Sequence, residues 1–222
     1  MKYRGNFGRL LVFVSKTDGT DFQEHMIKEG FSPYFTKYGY AAIDSLSDAY
    51  MSAERAAQSR FVGVWDQVTG NGSEINNYAL LKTWWTLRGE IIQNYRTRIA
   101  AGESILNTRL DYPQLITLAT NQSTATIFTE IRNMKRVGTV HMVADIGSRQ
   151  QPFQIFVPNF ESSTGQEIIR LMENRYISSG ENHHRRSYAY VTGALELYQG
   201  NPNFPPIVEL KVTSVDQIKD AP

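Results

Sequence analysis

The chain has 222 residues, of which 41% are hydrophobic, 20% charged and 12% aromatic. That apolar content excludes a disordered chain, and the length allows one large domain or two small ones. Twenty-three Lys and Arg against twenty-two Asp and Glu leave a net charge of +1. This excludes a generally basic binder but leaves room for a local nucleic-acid patch. With no cysteine, disulfides and thiolate metal sites are excluded, and the four histidines (25, 141, 183 and 184) show no metalloprotease spacing. The apolar run 10–14 is too short for an export signal or a membrane span, so no membrane partner is expected and the location is cytoplasmic by default.

In chain order, residues 10–14 read as a short strand, and Asp18-Gly19 as a turn. Asp21 and Glu24 have capping-box spacing at the start of a short helix, and Gly30 fits the position past its end. Residues 33–40 are aromatic and irregular. A second helix is predicted over 48–61, and Gly70-Asn71-Gly72 marks a break. Beyond it, Leu81, Trp84, Trp85, Leu87, Ile91, Ile92, Tyr95 and Ile99 recur at spacings of three and four, the stripe of a long helix. A short helix follows Pro113. Strands are predicted at 124–130, 138–146 and 152–157, a helix after Thr164, and further strands at 187–198 and 206–212. Strand, strand, strand, helix, strand, strand is the element order of an OB-fold, and also of other small α+β sheets. The expected architecture is α+β: a partial module over 1–70, a helical connector over 71–120, and a five-stranded OB-like barrel over 121–222.

Charge is uneven along these segments. Residues 1–70 carry eight basic and eight acidic side chains, 71–136 eight and five, and 137–222 seven and nine. The only basic excess is therefore central.

The first seventy residues resemble the C-terminal part of a staphylococcal nuclease-like domain. The likeness rests on Asn6-Phe7-Gly8-Arg9, Leu11-Val12-Phe13-Val14, Asp18-Gly19-Thr20-Asp21, Met26-Ile27-Lys28-Glu29-Gly30-Phe31, the Ala53-Glu54-x-x-Ala57 helix and Gly63-Val64-Trp65. It implies that Arg9 stabilises a phosphoryl group, since a guanidinium gives two parallel charge-assisted bonds to its oxygens. It also implies that Tyr34, Tyr38 and Tyr40 line a nucleotide pocket or fill gaps under a small domain, and that Trp65 plugs a helix end. In the family, the calcium-binding carboxylates, a glutamate base and a second arginine lie upstream of the arginine motif. Only eight residues precede Arg9 here, and none is acidic. The expectation is no metal ligand and no cofactor in this chain, no independent catalysis, and Ca2+ only where a partner completes the site. A subunit or upstream segment is expected to cover the incomplete barrel.

The C-terminal module resembles nucleic-acid-binding OB-folds around 190–200 and 212–214. Such barrels bind single-stranded DNA or RNA through aromatic platforms beside positive loops. Candidates are Tyr188 and Tyr190, which share one face of their strand, with Arg149, Arg185 and Arg186 near loops. That face is either an outer groove or the interior. The expected function is binding or scaffolding beside nucleic acid; the alternatives are a phosphodiesterase completed by a partner and a protein-assembly module.

Overall fold

The computed structural model describes residues 12–34, 44–66, 82–148, 150–178, 185–200 and 202–222. The chain divides into two compact units, 1–37 with 41–83, and 38–40 with 84–222.

In the first unit, helix α1 spans Phe22–Lys28 and α2 spans Asp44–Arg60. The Asp21 carboxylate accepts from the Glu24 N–H at 3.0 Å, the predicted cap. Past α1, Gly30 takes φ +72 and meets Gly63, at φ +60, backbone to backbone. The Val64 N–H donates to the Gly30 carbonyl at 2.8 Å. A Cβ at Gly30 would lie 2.2 Å from the Val62 oxygen, and one at Gly63 2.2 Å from the Gly30 oxygen. No other residue fits either position. Ile27, Tyr50 and Ala53 form the small core between the helices, with Tyr34, Leu46 and Ala49 packed against it. Trp65 is buried in a 3-10 turn over Gly63–Trp65, as the resemblance implied. The strand expected at 10–14 is not formed at its described residues, 12–14. Only an isolated bridge, Ser15 to Asp21, follows them.

The second unit carries α3 (Lys82–Ala100, from Trp84 onward), β1 (Ile105–Asn107), α4 (Tyr112–Thr120), β2 (Thr124–Glu130), β3 (Lys135–Val137) and β4 (His141–Asp145). It continues through β5 (Phe153–Val157), α5 (Ser163–Leu171, extended by a π turn over Met172–Tyr176), β6 (Tyr188–Tyr198), β7 (Ile207–Lys211) and β8 (Ile218–Lys219). The α+β class is present and each strand region expected in this unit contains a strand, but 138–146 holds the turn at 138–140 and β4, while β3 was not expected. Gly138, at φ +63, sits in that turn.

The sheet is mixed and open, in the order β1-β2-β6-β7-β5-β4-β3, with β8 on β6. This corrects the expected OB-like barrel. Closure would join β2 to β4, but the edge of β2 away from β6 is taken by β1 in parallel register, Ile105 to Thr126. The far edge of β4 is taken by β3, Val137 to His141. Among the described residues no ladder joins the two ends.

Both faces of this sheet are covered at its centre. On one, Ile127, Val191, Leu195, Val208, Leu210 and Ile155 pack against Leu115 and Ala119 of α4 and Ile168 of α5. On the other, Ile91, Ile92 and Tyr95 of α3 pack on Ile105, Phe128, Tyr188 and Tyr190. The segment expected as a connector thus supplies a helix that caps the sheet. Phe128 stacks on Tyr95 at 4.2 Å and on Tyr188 at 5.2 Å, with planes within 10°. Each such pair adds about 0.5–1.5 kcal/mol beyond its burial. Phe128→Ala should therefore cost about 3–5 kcal/mol in urea unfolding followed by circular dichroism. A loss below about 1 kcal/mol would show that α3 is not held by this stack.

Candidate functional site

Arg9, Tyr38, Tyr40 and Arg149 lie outside the described residues, as do His183 and His184. Tyr34 is described, and it sits in the small core of the first unit. Its ring meets Tyr50 edge-on at 5.4 Å, its hydroxyl donates to Ser47 Oγ at 3.0 Å, and its N–H donates to Glu54 Oε1 at 2.7 Å. The Tyr50 hydroxyl donates to Asp21 Oδ2 at 2.9 Å. Burial, then that carboxylate, push the Tyr50 phenol up to about 12. Tyr34 therefore packs and braces the two helices.

In the second unit, Tyr188 and Tyr190 do share a face, and α3 covers it. They are 0% and 3% exposed. Neither ring offers a platform for a base, so the interior reading of that face is the one the structure shows. Just before the strand, Arg186 is bound at the C-terminal segment. Its Nε lies 3.2 Å from Asp220 Oδ1, and its Nη2 donates to the Asp220 carbonyl at 2.9 Å. Arg175 also grips this carboxylate with Nε and Nη2, and the Tyr176 hydroxyl donates to it at 2.8 Å. The Arg175 bonds, outweighing partial burial, hold the Asp220 carboxyl below its ordinary range. Arg185 uses its backbone: its N–H donates to Ser178 Oγ at 2.9 Å, and its carbonyl accepts from the Trp84 indole N–H at 2.7 Å. Arg185 and Arg186 thus come together at the entry to β6, beside the tyrosines, and Tyr34 belongs to the other unit.

One charged residue was missed by the sequence reading. Arg88 lies on the apolar stripe of α3 between Trp84 and Ile91, 4% exposed. It reaches Glu130 Oε1 at 3.2 Å, donates to the Tyr188 hydroxyl at 2.6 Å, and holds its guanidinium 4.7 Å from that ring centroid. Arg132 binds the other oxygen of Glu130 at 2.6 Å. A cation one turn after Trp84, in phase with Tyr95, was the available signal. The cleft beside this cluster, lined by Thr108, Thr129, Asp145 and Gly147, measures about 20 Å³, enough for a water. Arg132 and Glu130 line it as well.

Among the described residues, no group of three or more His, Asp or Glu side chains is placed to hold a metal ion. No described helix is long and apolar enough to cross a membrane.

Residues 1–67 match the family described as Staphylococcal nuclease homologue. The matched stretch ends just past Trp65 and leaves the sheet-bearing unit outside it. No curated protein matches the chain.

A second buried acid offers a test of the sheet's electrostatics. Glu209 on β7 is 4% exposed and accepts from the Gln154 amide at 2.6 Å. Burial raises its carboxyl above the ordinary 4.5, with the Gln154 bond opposing. The folded state therefore holds this proton more tightly than the unfolded chain. Stability from this group is present below 4.5 and is lost as pH rises through the raised folded value. Glu209→Gln should raise the melting temperature at pH 7, with the gain vanishing below about pH 4. An equal gain at every pH in calorimetry would contradict this assignment.

Proposed function

We propose that the chain is a nucleic-acid-associated binding or scaffolding protein carrying a nuclease-like module, without hydrolytic chemistry of its own. The observation that carries this reading is the family match over 1–67 in a chain whose described residues hold no metal-binding cluster. In this reading the stretch 1–67 stands for the C-terminal portion of such a domain, and Arg9 serves as a phosphate contact. A guanidinium alone binds and orients a phosphodiester, but supplies neither the nucleophile nor the counter-ion for hydrolysis. Tyr38, Tyr40 and Arg149 remain candidates for the same surface. Arg185 stays a candidate through its side chain, while Arg186 is largely committed to Asp220.

A second reading is favoured by a specific feature of the first unit. Val12, Phe13 and Val14 are 58%, 60% and 45% exposed. The Gln23 side chain accepts from the Val14 N–H at 3.2 Å and donates to the Val12 carbonyl at 3.3 Å. Ladder groups are thus held by a side chain where a neighbouring strand would otherwise pair. A strand from a subunit or an upstream segment laid here would cover these residues. Carboxylates brought with it, together with Ca2+, would complete a phosphodiesterase; without them the surface would serve protein assembly.

The test is fluorescence anisotropy of labelled single-stranded DNA and RNA at two salt concentrations with calcium, followed by a denaturing gel. The expected result is salt-sensitive binding without cleavage, weakened about tenfold or more by Arg9→Ala, the scale of a hydrogen bond to a charged group. Calcium-dependent cleavage by the chain alone would overturn the non-catalytic reading. Absence of salt-sensitive binding would overturn the nucleic-acid reading.

A further inference from the structure

We infer that the groove between the β3–β4 hairpin and α5 binds an acidic peptide segment of another protein, anchored by one bulky apolar side chain. The groove is shallow and open to solvent, and offers about 490 Å³. Its floor is apolar: Met142 from β4, Phe160 from the loop before α5, and Ile169 from α5. Helix α5 buries Ile168 in the sheet core and leaves its neighbour Ile169 half-buried at the groove. Arg136 from β3 and Arg170 from α5 stand at the rim, with the Gln166 amide between.

Among the described residues, neither arginine of the groove is paired with a carboxylate. Arg60, Arg88, Arg98, Arg132, Arg175 and Arg186 each have a carboxylate within 4.0 Å or less. Arg136 instead lies 4.2 Å over the Phe160 ring, and Arg170 reaches only the neutral Gln166 Oε1 at 3.3 Å. Two guanidiniums without a carboxylate, on either side of an apolar floor, suit an anion attached to an apolar body.

The geometry favours a peptide over a nucleic acid. A base needs an exposed ring face to stack on, and Phe160 is 8% exposed with Arg136 already over it. A long polyanion would also meet Glu161 at the rim and the acidic excess of residues 137–222. A short peptide needs no ring to stack on, and with few carboxylates it can set them at Arg136 and Arg170, clear of Glu161. Its leucine or phenylalanine fills the space over Met142 and Ile169, flanking carboxylates reach Arg136 and Arg170, and Gln166 takes a backbone group. This interaction does not depend on the nucleic-acid reading above.

The experiment uses the full chain and a fluorescein-labelled peptide with a Leu-Phe pair between two pairs of glutamates. Saturable binding is expected, weakened about tenfold or more by the R136A/R170A double variant, the loss expected for charge-assisted bonds. Arg55→Ala in the first unit should leave binding unchanged, and a glutamine-for-glutamate peptide should bind as weakly as the double variant. In the unaltered chain, NMR methyl signals of Met142 and Ile169 should shift on titration, which keeps the test independent of variant folding. No binding, binding indifferent to both arginines, or unmoved methyl signals would overturn the proposal. An oligothymidylate that shifts the same methyls and loses affinity in the double variant would overturn it in favour of nucleic acid.

Discussion

The first four residues of β6 are buried on both faces, and the second unit is arranged around that constraint. Tyr188, Ala189, Tyr190 and Val191 are all at or below 3% exposure, so alternation sends two tyrosines toward α3 and two small residues toward α4 and α5. Along one edge, 188–194 pair with β2. On the other edge, 190–191 pair with β8 and 195–198 with β7. The break between β7 and β8 is closed by Gln217, whose amide donates to the Thr192 and Lys211 carbonyls at 2.9 and 3.0 Å. Gly193 permits this: a Cβ there would lie 2.7 Å from the Lys211 oxygen. A single long strand therefore fixes both helix layers and the register of the C-terminal segment.

That burial changes what the aromatic residues can do. On an open sheet Tyr188 and Tyr190 would be a platform; under α3, Tyr188 stacks on Phe128, which in turn stacks on Tyr95. Charge is redistributed by the same packing. The basic excess of the central segment is partly absorbed internally, with Arg88 and Arg132 on Glu130 and Arg98 on Glu103. With a net charge of +1, the chain carries no strong overall field.

Much of the local structure was legible, because helices and strands announce themselves by short-range pattern. The Asp21 cap, Gly30 and the Ile91, Ile92 and Tyr95 part of the α3 stripe follow from neighbours in sequence, although Leu87 and Ile99 of that stripe are exposed. What pattern cannot carry is which edges and faces meet. β1 is three residues long and fully buried, too short to alternate, yet it takes the edge on which closure depended. The stripe of α3 showed that the helix is buried on one side without showing against what. The apolar run at the start of β6 is the signature of a strand covered twice. Arg186 met Asp220, 34 residues away, a pairing that no local spacing encodes. Of the candidate site, the shared face of Tyr188 and Tyr190 was readable and its cover was not.

The buried tyrosine face requires that α3 be part of the folded sheet unit. Native-state hydrogen exchange measures this directly. The amides of 91–95 in α3 should exchange as slowly as those of 188–195 in β6, through one global opening. Fast exchange in α3 beside a protected β6 would make the helix a linker and return the tyrosine face to solvent.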